Sequence, residues 1–286
     1  MKPTFQLSNL NTQSTMNNDT KRIVLGIEYD GSQFFGWQWQ TGKRTVQSVL
    51  EHALSNVANH SISVICAGRT DSGVHALEQV VHFDTSVQRD LHAWVMGGNR
   101  YLPADVRIIW AKPALGDFHA RTSAIARFYR YRILNRPMTS ALLRDQATGC
   151  AVPLDEQKMH LAGQALCGTH DFSSFRAQGC QSKSPQRRLY FLKVYREQQQ
   201  VIIEVCANAF LHHMVRNIAG VLMEIGVGKQ PIEWTRALLD IKDRSQGGVT
   251  ASPKGLHLAA VYYPERYGIE KHPIFNQLPS DAKRFD

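Results

Sequence analysis

The 286-residue chain has no C-x-x-C pair, and its five cysteines (Cys66, Cys150, Cys167, Cys180 and Cys206) are odd in number and widely spaced. That pattern argues against a disulfide framework or a cysteine zinc site, and reduced thiols are the expected state. No run approaches the roughly 18 consecutive apolar residues of a membrane span. The first twenty residues are rich in Asn, Thr and Ser and lack the apolar centre of a secretory signal. Residues 1–20 therefore read as a disordered tail, and the protein as cytoplasmic with no membrane partner. No stretch repeats at the level of sequence. The chain as a whole has ordinary globular composition, 43% hydrophobic and 20% charged. Its length suits one large domain or two of ordinary size, each able to bury a core.

Acidic residues are missing where bases gather. Phe118 to Arg144 holds six arginines (121, 127, 130, 132, 136 and 144) and no carboxylate. Phe172 to Arg196 holds Arg176, Lys183, Arg187, Arg188, Lys193 and Arg196, again with none. These twelve account for the +9 balance and the pI of about 9.4, since 21 bases face 24 acids elsewhere. Charge runs are usually solvated faces. Without interleaved acids to pair them, these favour contact with phosphates.

The periodicity gives β-α-β-β-α-β. A strand covers Lys21 to Asp30, closed by the turn pair Asp30-Gly31. A helix follows from Thr45 to Asn59, with Val46, Val49, Leu50, Ala53, Leu54 and Val57 on one face and Thr45 as N-cap. Strands are expected at Ser61–Ala67, Gln79–Thr85 and Val106–Pro113, with a helix over Leu91–Asn99. The second half runs in the same order. A strand over Arg127–Asn135 places Tyr129, Tyr131 and Ile133 on one face, and a helix covers Asp155–Cys167. An antiparallel pair, Arg187–Arg196 and Val201–Ala207, joins across Gln198-Gln199-Gln200. A helix from Leu211 to Gly226 turns Met214, Ile218, Val221, Leu222 and Ile225 inward. Pro231 opens another helix, and Leu256–Tyr263 is the last strand. The expectation is an α+β fold of two ferredoxin-like halves with mostly antiparallel sheets and an active-site cleft between them. Residues 21–116 and 117–268 form the two domains, and 269–286 a C-terminal tail.

Asp71 follows the second strand, in a turn with Gly73 and two residues from Arg69. A nearby arginine keeps a carboxylate ionised, which suits a nucleophile or base. By turn chemistry alone, an Arg-x-Asp turn reads as a surface ion pair or an Asx-turn before it reads as a catalytic group. A metal-dependent phosphodiesterase would need clustered carboxylates, and Asp71 has no acidic neighbour until Glu78. His212-His213, taken as adjacent residues on a helix, point about 100° apart and do not chelate one ion. No metal is expected. Phe34, Phe35, Trp37 and Trp39 look like a stacking platform, but core or interface packing is the commoner use of such a cluster.

The string Gly68-Arg69-Thr70-Asp71-Ser72-Gly73-Val74-His75-Ala76 resembles the signature of the tRNA pseudouridine synthase A family. Five further segments match in the same order. They are Glu28-Tyr29-Asp30-Gly31-Ser32 with Gly36-Trp37-Gln38; Asp117-Phe118-His119-Ala120-Arg121; Tyr129-Arg130-Tyr131; His170 to Arg176; and His212-His213-Met214-Val215-Arg216-Asn217. The likeness runs from about Ile23 to Tyr267.

The resemblance implies isomerisation of uridine to pseudouridine at positions 38, 39 and 40 of the tRNA anticodon arm, without metal or organic cofactor. It implies Asp71 as the catalytic aspartate. Arg69, Tyr129 and Arg216 become substrate-binding residues, with Tyr129 stacking on the extruded base and Arg216 pairing with Asp71. Tyr131 stays a packing residue. Phe118, His119, Ala120, Arg121 and Thr122, together with Gly179, Cys180, Gln181, Ser182 and Lys183, match segments that touch tRNA. Arg89 and Arg136 are further phosphate candidates. A homodimer sharing the tRNA is implied as well. The competing reading is a non-catalytic RNA-binding protein that uses the same basic face.

Overall fold

The computed structural model describes residues 20–278, so the expected N-terminal tail lies, but for Thr20, outside the described residues. In chain order the elements are β1 (Lys21–Tyr29), α1 (Val46–Ala58), β2 (Ile65–Cys66), β3 (His75–Thr85), α2 (Leu91–Tyr101), β4 (Val106–Ala114), β5 (Ala126–Asn135) and β6 (Thr148–Cys150). Then come α3 (Glu156–Gln164), β7 (Gly168–Asp171), β8 (Gln186–Glu197), β9 (Gln200–Ala207), α4 (Met214–Gly226), α5 (Trp234–Ile241) and β10 (Leu256–Tyr262). The fold is mixed α+β. Among the described residues no helix is long and apolar enough to cross a membrane.

The ten strands form one sheet in the order β4-β1-β3-β10-β5-β9-β8-β7, with β2 beside β3 and β6 beside β5. Two separate sheets were expected; β10 joins them. It runs antiparallel to β5 over most of its length, and parallel to β3 over only two pairs, His257↔His75 and Leu258↔Ala76. The strand itself was legible at Leu256–Tyr263, but its two partners were not, because they are chosen by tertiary packing.

Helix α1 forms as its spacing requires. Thr45 accepts from the Ser48 amide and Ser48 returns the bond to the Thr45 amide, a reciprocal cap, while Val46, Leu50, Ala53, Leu54 and Val57 are buried. The strand expected at Ser61–Ala67 shrinks to Ile65–Cys66. Its alternation is real, with Ile62, Val64 and Cys66 buried. However, the Ile62 amide donates to Ser55 Oγ and the Val64 amide to Glu51 Oε1, both 2.9 Å and both on α1. Side chains of the helix thus take the amides a neighbouring strand would have used.

Helix α4 begins at Met214, three residues later than expected, and its apolar stripe is buried as expected. Helix α5 begins at Trp234, beyond Pro231. The β8–β9 hairpin turns at Gln198, which takes the left-handed φ of 52°.

One large hydrophobic core spans both halves, and a smaller cluster lies on the other side of β5, β9 and β10. Strand β5 feeds both, sending Tyr129, Tyr131 and Ile133 to the first and Phe128 to the second. Tyr131 is a packing residue, as expected: it is fully buried, and its hydroxyl donates to the Ser252 carbonyl at 2.8 Å. Residues 269–278 are packed rather than extended from the body, with buried Phe275 stacked on Tyr262 at 5.1 Å.

Candidate active site

The chain leaves β2 at Ala67 and its backbone is caught at once. The Ala67 amide donates to the Val80 carbonyl at 2.8 Å. The buried Gln79 amide then acts as a surrogate strand, donating to the Gly68 carbonyl at 2.6 Å. Beyond Gly68 the turn lies on the segment after β1. The Trp37 amide donates to the Thr70 carbonyl at 3.0 Å. Thr70 Oγ1 and the Tyr29 hydroxyl are 2.7 Å apart, and Ser72 Oγ donates to the Phe34 carbonyl at 3.1 Å. A Cβ at Gly31 would lie 1.9 Å from the Val74 carbonyl oxygen, and one at Gly36, where φ is +81°, 2.8 Å from that of Thr70. Both glycines are therefore required by close backbone approach. Phe34 and Trp37 are buried beneath and anchor this cradle, each worth about 2–3 kcal/mol. The four aromatics that resembled a stacking platform thus divide. Phe34 and Trp37 are core, while Phe35 and Trp39 are half-exposed, with Phe35 on the rim of the cleft.

The cleft encloses about 760 Å³. It is lined by residues 67–72 on one side and by Tyr129, 179–182 and 209–215 on the other. Arg216 Nη1 lies 3.2 Å from Asp71 Oδ2, and its Nε donates to the Ala251 carbonyl at 2.8 Å. Asp71 and Arg216 are only slightly exposed, at 22% and 13% of their side chains, so their attraction is little screened. Arg216 sits off the apolar stripe of α4, as its helical position implied.

Tyr129 is buried beside them and packs edge-on against Phe210 with ring centroids 5.1 Å apart. Burial, and then the nearby Asp71 charge, push its hydroxyl far above the ordinary range. The phenol stays neutral at any working pH, and its ring is the usable feature.

Two histidines complete the setting. His212 Nε2 is 3.5 Å from Asp71 Oδ1, and His213 Nε2 is 3.4 Å from Oδ2. Burial lowers the His213 imidazole below its ordinary value, against the pull of Asp71. Both precede α4 rather than lying on it, and His213 has a left-handed φ of 61°. The geometric argument against joint ligation therefore does not apply, because its helical premise is wrong. Their three donor atoms lie within 4.8 Å of one another, the one such group among the described residues. A signal was available: the apolar stripe starts at Met214 and never required the helix to include 211–213.

Arg69 was expected to flank Asp71 opposite Arg216. It is exposed at the cleft and forms no ion pair with Asp71. The acid-free stretches also resolve differently from expectation. Arg130 pairs with Glu204 at 2.7 Å, Arg144 with Asp145 at 3.2 Å and Arg196 with Glu156 at 2.9 Å, so acids outside the stretches neutralise them. Arg127 is buried under the cleft, donating to the carbonyls of Ala67, Arg121, Ala124 and Asn208. It ties the approach to the Asp71 turn to the segments at Arg121, Ala124 and Asn208, and its guanidinium is taken up by those carbonyls. Arg176 holds the 179–183 loop through the Cys180 and Ser182 carbonyls at 2.6 and 2.7 Å.

The candidate RNA-contact segments are likewise mixed. Phe118 and Ala120 are fully buried, Phe118 against Tyr263 and Tyr267, so their side chains belong to the core. His119 caps its own turn by accepting from the Arg121 and Thr122 amides. Arg121 and Thr122 are exposed. Gly179 and Gln181 are exposed, and Cys180 and Ser182 partly so. Arg136 is held by the Met138 and Thr139 carbonyls and Gln199. Arg89 is exposed but does not line the cleft. Among the described residues, Arg69, Arg121 and Lys183 have side chains free of hydrogen bonds and ion pairs, and all three lie in or beside the cleft wall.

A family model described as tRNA pseudouridine synthase matches residues 26–122 and 162–264. A Methylococcus capsulatus protein named tRNA pseudouridine synthase A is 58% identical over 264 residues, covering 92% of this chain and 97% of the relative. Proteins of the same name from Nitrosococcus oceani and Actinobacillus succinogenes are 56% and 53% identical. They cover 87% and 88% of this chain, and 96% of each relative.

Proposed function

Because the chain belongs to the tRNA pseudouridine synthase family, we propose that its cleft isomerises uridine to pseudouridine at positions 38, 39 and 40 of the tRNA anticodon arm. Asp71 is the catalytic carboxylate, and no cofactor takes part. The reaction breaks the bond from ribose to N1, turns the uracil and joins the ribose to C5, where a proton is lost while N1 takes one up. It is redox-neutral, which is chemically consistent with a site built from side chains alone.

The observation that carries this reading is the Asp71–Arg216 pair at 3.2 Å inside a cleft that also holds the Tyr129 ring. A guanidinium orients the carboxylate, and a neutral buried phenol offers a face for an extruded uracil. At the cleft, Arg69, Arg121 and Lys183 are bases free to meet phosphates, with Thr122, Gly179, Gln181 and Ser182 beside them. The strand orders β4-β1-β3-β2 and β10-β5-β9-β8 support reading the chain as two ferredoxin-like halves with the site between them. A homodimer would let one subunit hold the tRNA body while its partner engages the base.

The test uses unmodified tRNA labelled with tritium at uracil C5. Tritium release, with pseudouridine mapped to positions 38–40, is the expected outcome. Binding without any pseudouridine would leave a non-catalytic RNA-binding protein.

A further inference from the structure

We propose that Asp71, His212 and His213 form a binding site for a borderline divalent metal ion such as zinc, and that the bound ion reversibly shuts the cleft by capturing the catalytic carboxylate. The donors are one carboxylate and two imidazoles, a set typical of three-ligand zinc sites with an open position.

The geometry supports this in three ways. The carboxylate-to-imidazole separations of 3.4 and 3.5 Å match the roughly 3.3 Å between two ligand atoms that each lie about 2.0–2.1 Å from a tetrahedral ion. All three donors fall within 4.8 Å, so side-chain rotation alone closes the set. The backbone supplies the rest. Consecutive residues on a helix or strand send their side chains apart, yet these two rings sit with centroids 3.9 Å apart. The left-handed His213 makes that convergence possible, in a backbone conformation that is costly for a non-glycine residue. His212 is half-exposed and leaves an entry path.

Arg216 opposes the ion. Its guanidinium occupies Asp71 Oδ2 and repels a second cation. Its Nε bond to the Ala251 carbonyl is independent of Asp71, so Nη1 can give way while the side chain stays anchored. Two predictions of opposite sign result. Loss of a ligand weakens metal binding, and loss of Arg216 strengthens it, an effect that misfolding would not produce.

The experiment titrates the chelator-treated protein with Co²⁺. A four- or five-coordinate site gives intense visible absorption, unlike the faint colour of the hydrated ion, and Zn²⁺ abolishes it by displacement. Wild type is expected to bind one ion. Asp71→Asn, His212→Ala and His213→Asn are each expected to weaken binding at least about tenfold; asparagine is chosen at 213 because it tolerates a left-handed backbone. Arg216→Met is expected to bind more tightly. Zn²⁺ should inhibit tritium release reversibly on adding chelator, whereas Mg²⁺, which prefers oxygen ligands, should not. The proposal is overturned if wild type shows no such absorption, if the ligand variants retain it, or if Cys180→Ser removes it, which would assign the ion to the thiol at the cleft rim. Because the absorption is read without turnover, failure to find pseudouridine would not affect it, and its absence would not touch the proposed reaction.

Discussion

The two walls of the cleft are held by different means. The Asp71 wall is a backbone construction. Its carbonyls and amides are tied to residues 29–37 and to Gln79, and glycines at 31 and 36 allow chain to lie against chain. The opposite wall is a side-chain construction, bringing Tyr129 from β5, the two histidines from the turn before α4 and Arg216 from α4 itself. The first wall supplies the carboxylate and the second supplies everything that conditions it. Neither is a site alone, and the short β3–β10 pairing with the Arg127 staple sets the distance between them. A side-chain wall should fail gradually under substitution, while a backbone wall should fail by loss of fold or of its single carboxylate.

The sharpest break of that contrast is Asp71→Asn. Turnover should fall by at least about a thousandfold, roughly 4 kcal/mol of activation free energy, while tRNA binding, measured by filter retention, stays within a few-fold of wild type. Substantial tritium release by this variant would remove Asp71 from the chemistry. Arg216→Met, on the other wall, should lower kcat by about 30- to 100-fold, corresponding to the 2–3 kcal/mol expected when a poorly screened charge loses its partner. If it changed only KM, the guanidinium would be serving the RNA rather than Asp71. Gly31→Ala drives a Cβ into the Val74 carbonyl and should cost about 2–3 kcal/mol of stability in urea denaturation, with activity lost in step. No stability change there would refute the backbone cradle.

The pH response compares two strands of the sheet, β3 and β10. Burial pushes His82 on β3 and His257 on β10 down to about 4, from an ordinary 6.5. Between those values the unfolded chain binds protons that the folded chain excludes. Stability should therefore rise as pH climbs from 4 to 6.5 and level off above, with one proton traced to each strand. His82→Gln and His257→Gln should each flatten part of the slope, read from denaturation midpoints across that range. The smallest effect belongs to Tyr129→Phe. Its hydroxyl is held neutral and its ring is retained, so kcat should fall less than about tenfold, against a much larger loss for Tyr129→Ala, which removes the stacking face.

Local periodicity carried much of the fold. Helix α1, its Thr45 cap, strands β1, β5, β8 and β9 and the buried stripe of α4 all follow from spacing that short-range physics enforces. It failed where a distant group took over a local role. The amides of Ile62 and Val64 went to Ser55 and Glu51, and the base runs met Glu204 and Glu156 from remote elements. Three of the bases met acids outside their runs, two of those acids far away in sequence.

By itself the sequence determined which residue types were in play: a carboxylate in a glycine-bounded turn, an arginine off the stripe of a helix and a strand tyrosine. These follow from rules that act over a few residues. The tertiary structure alone decided that Arg69 forms no ion pair with Asp71, that Arg127, Phe118 and Ala120 are buried, and that His212 and His213 converge on the same carboxylate as Arg216. Each of those outcomes depends on β10 closing one sheet from two runs of strands. That pairing is long-range, and the free energy that selects it belongs to the packed whole rather than to any segment of the chain.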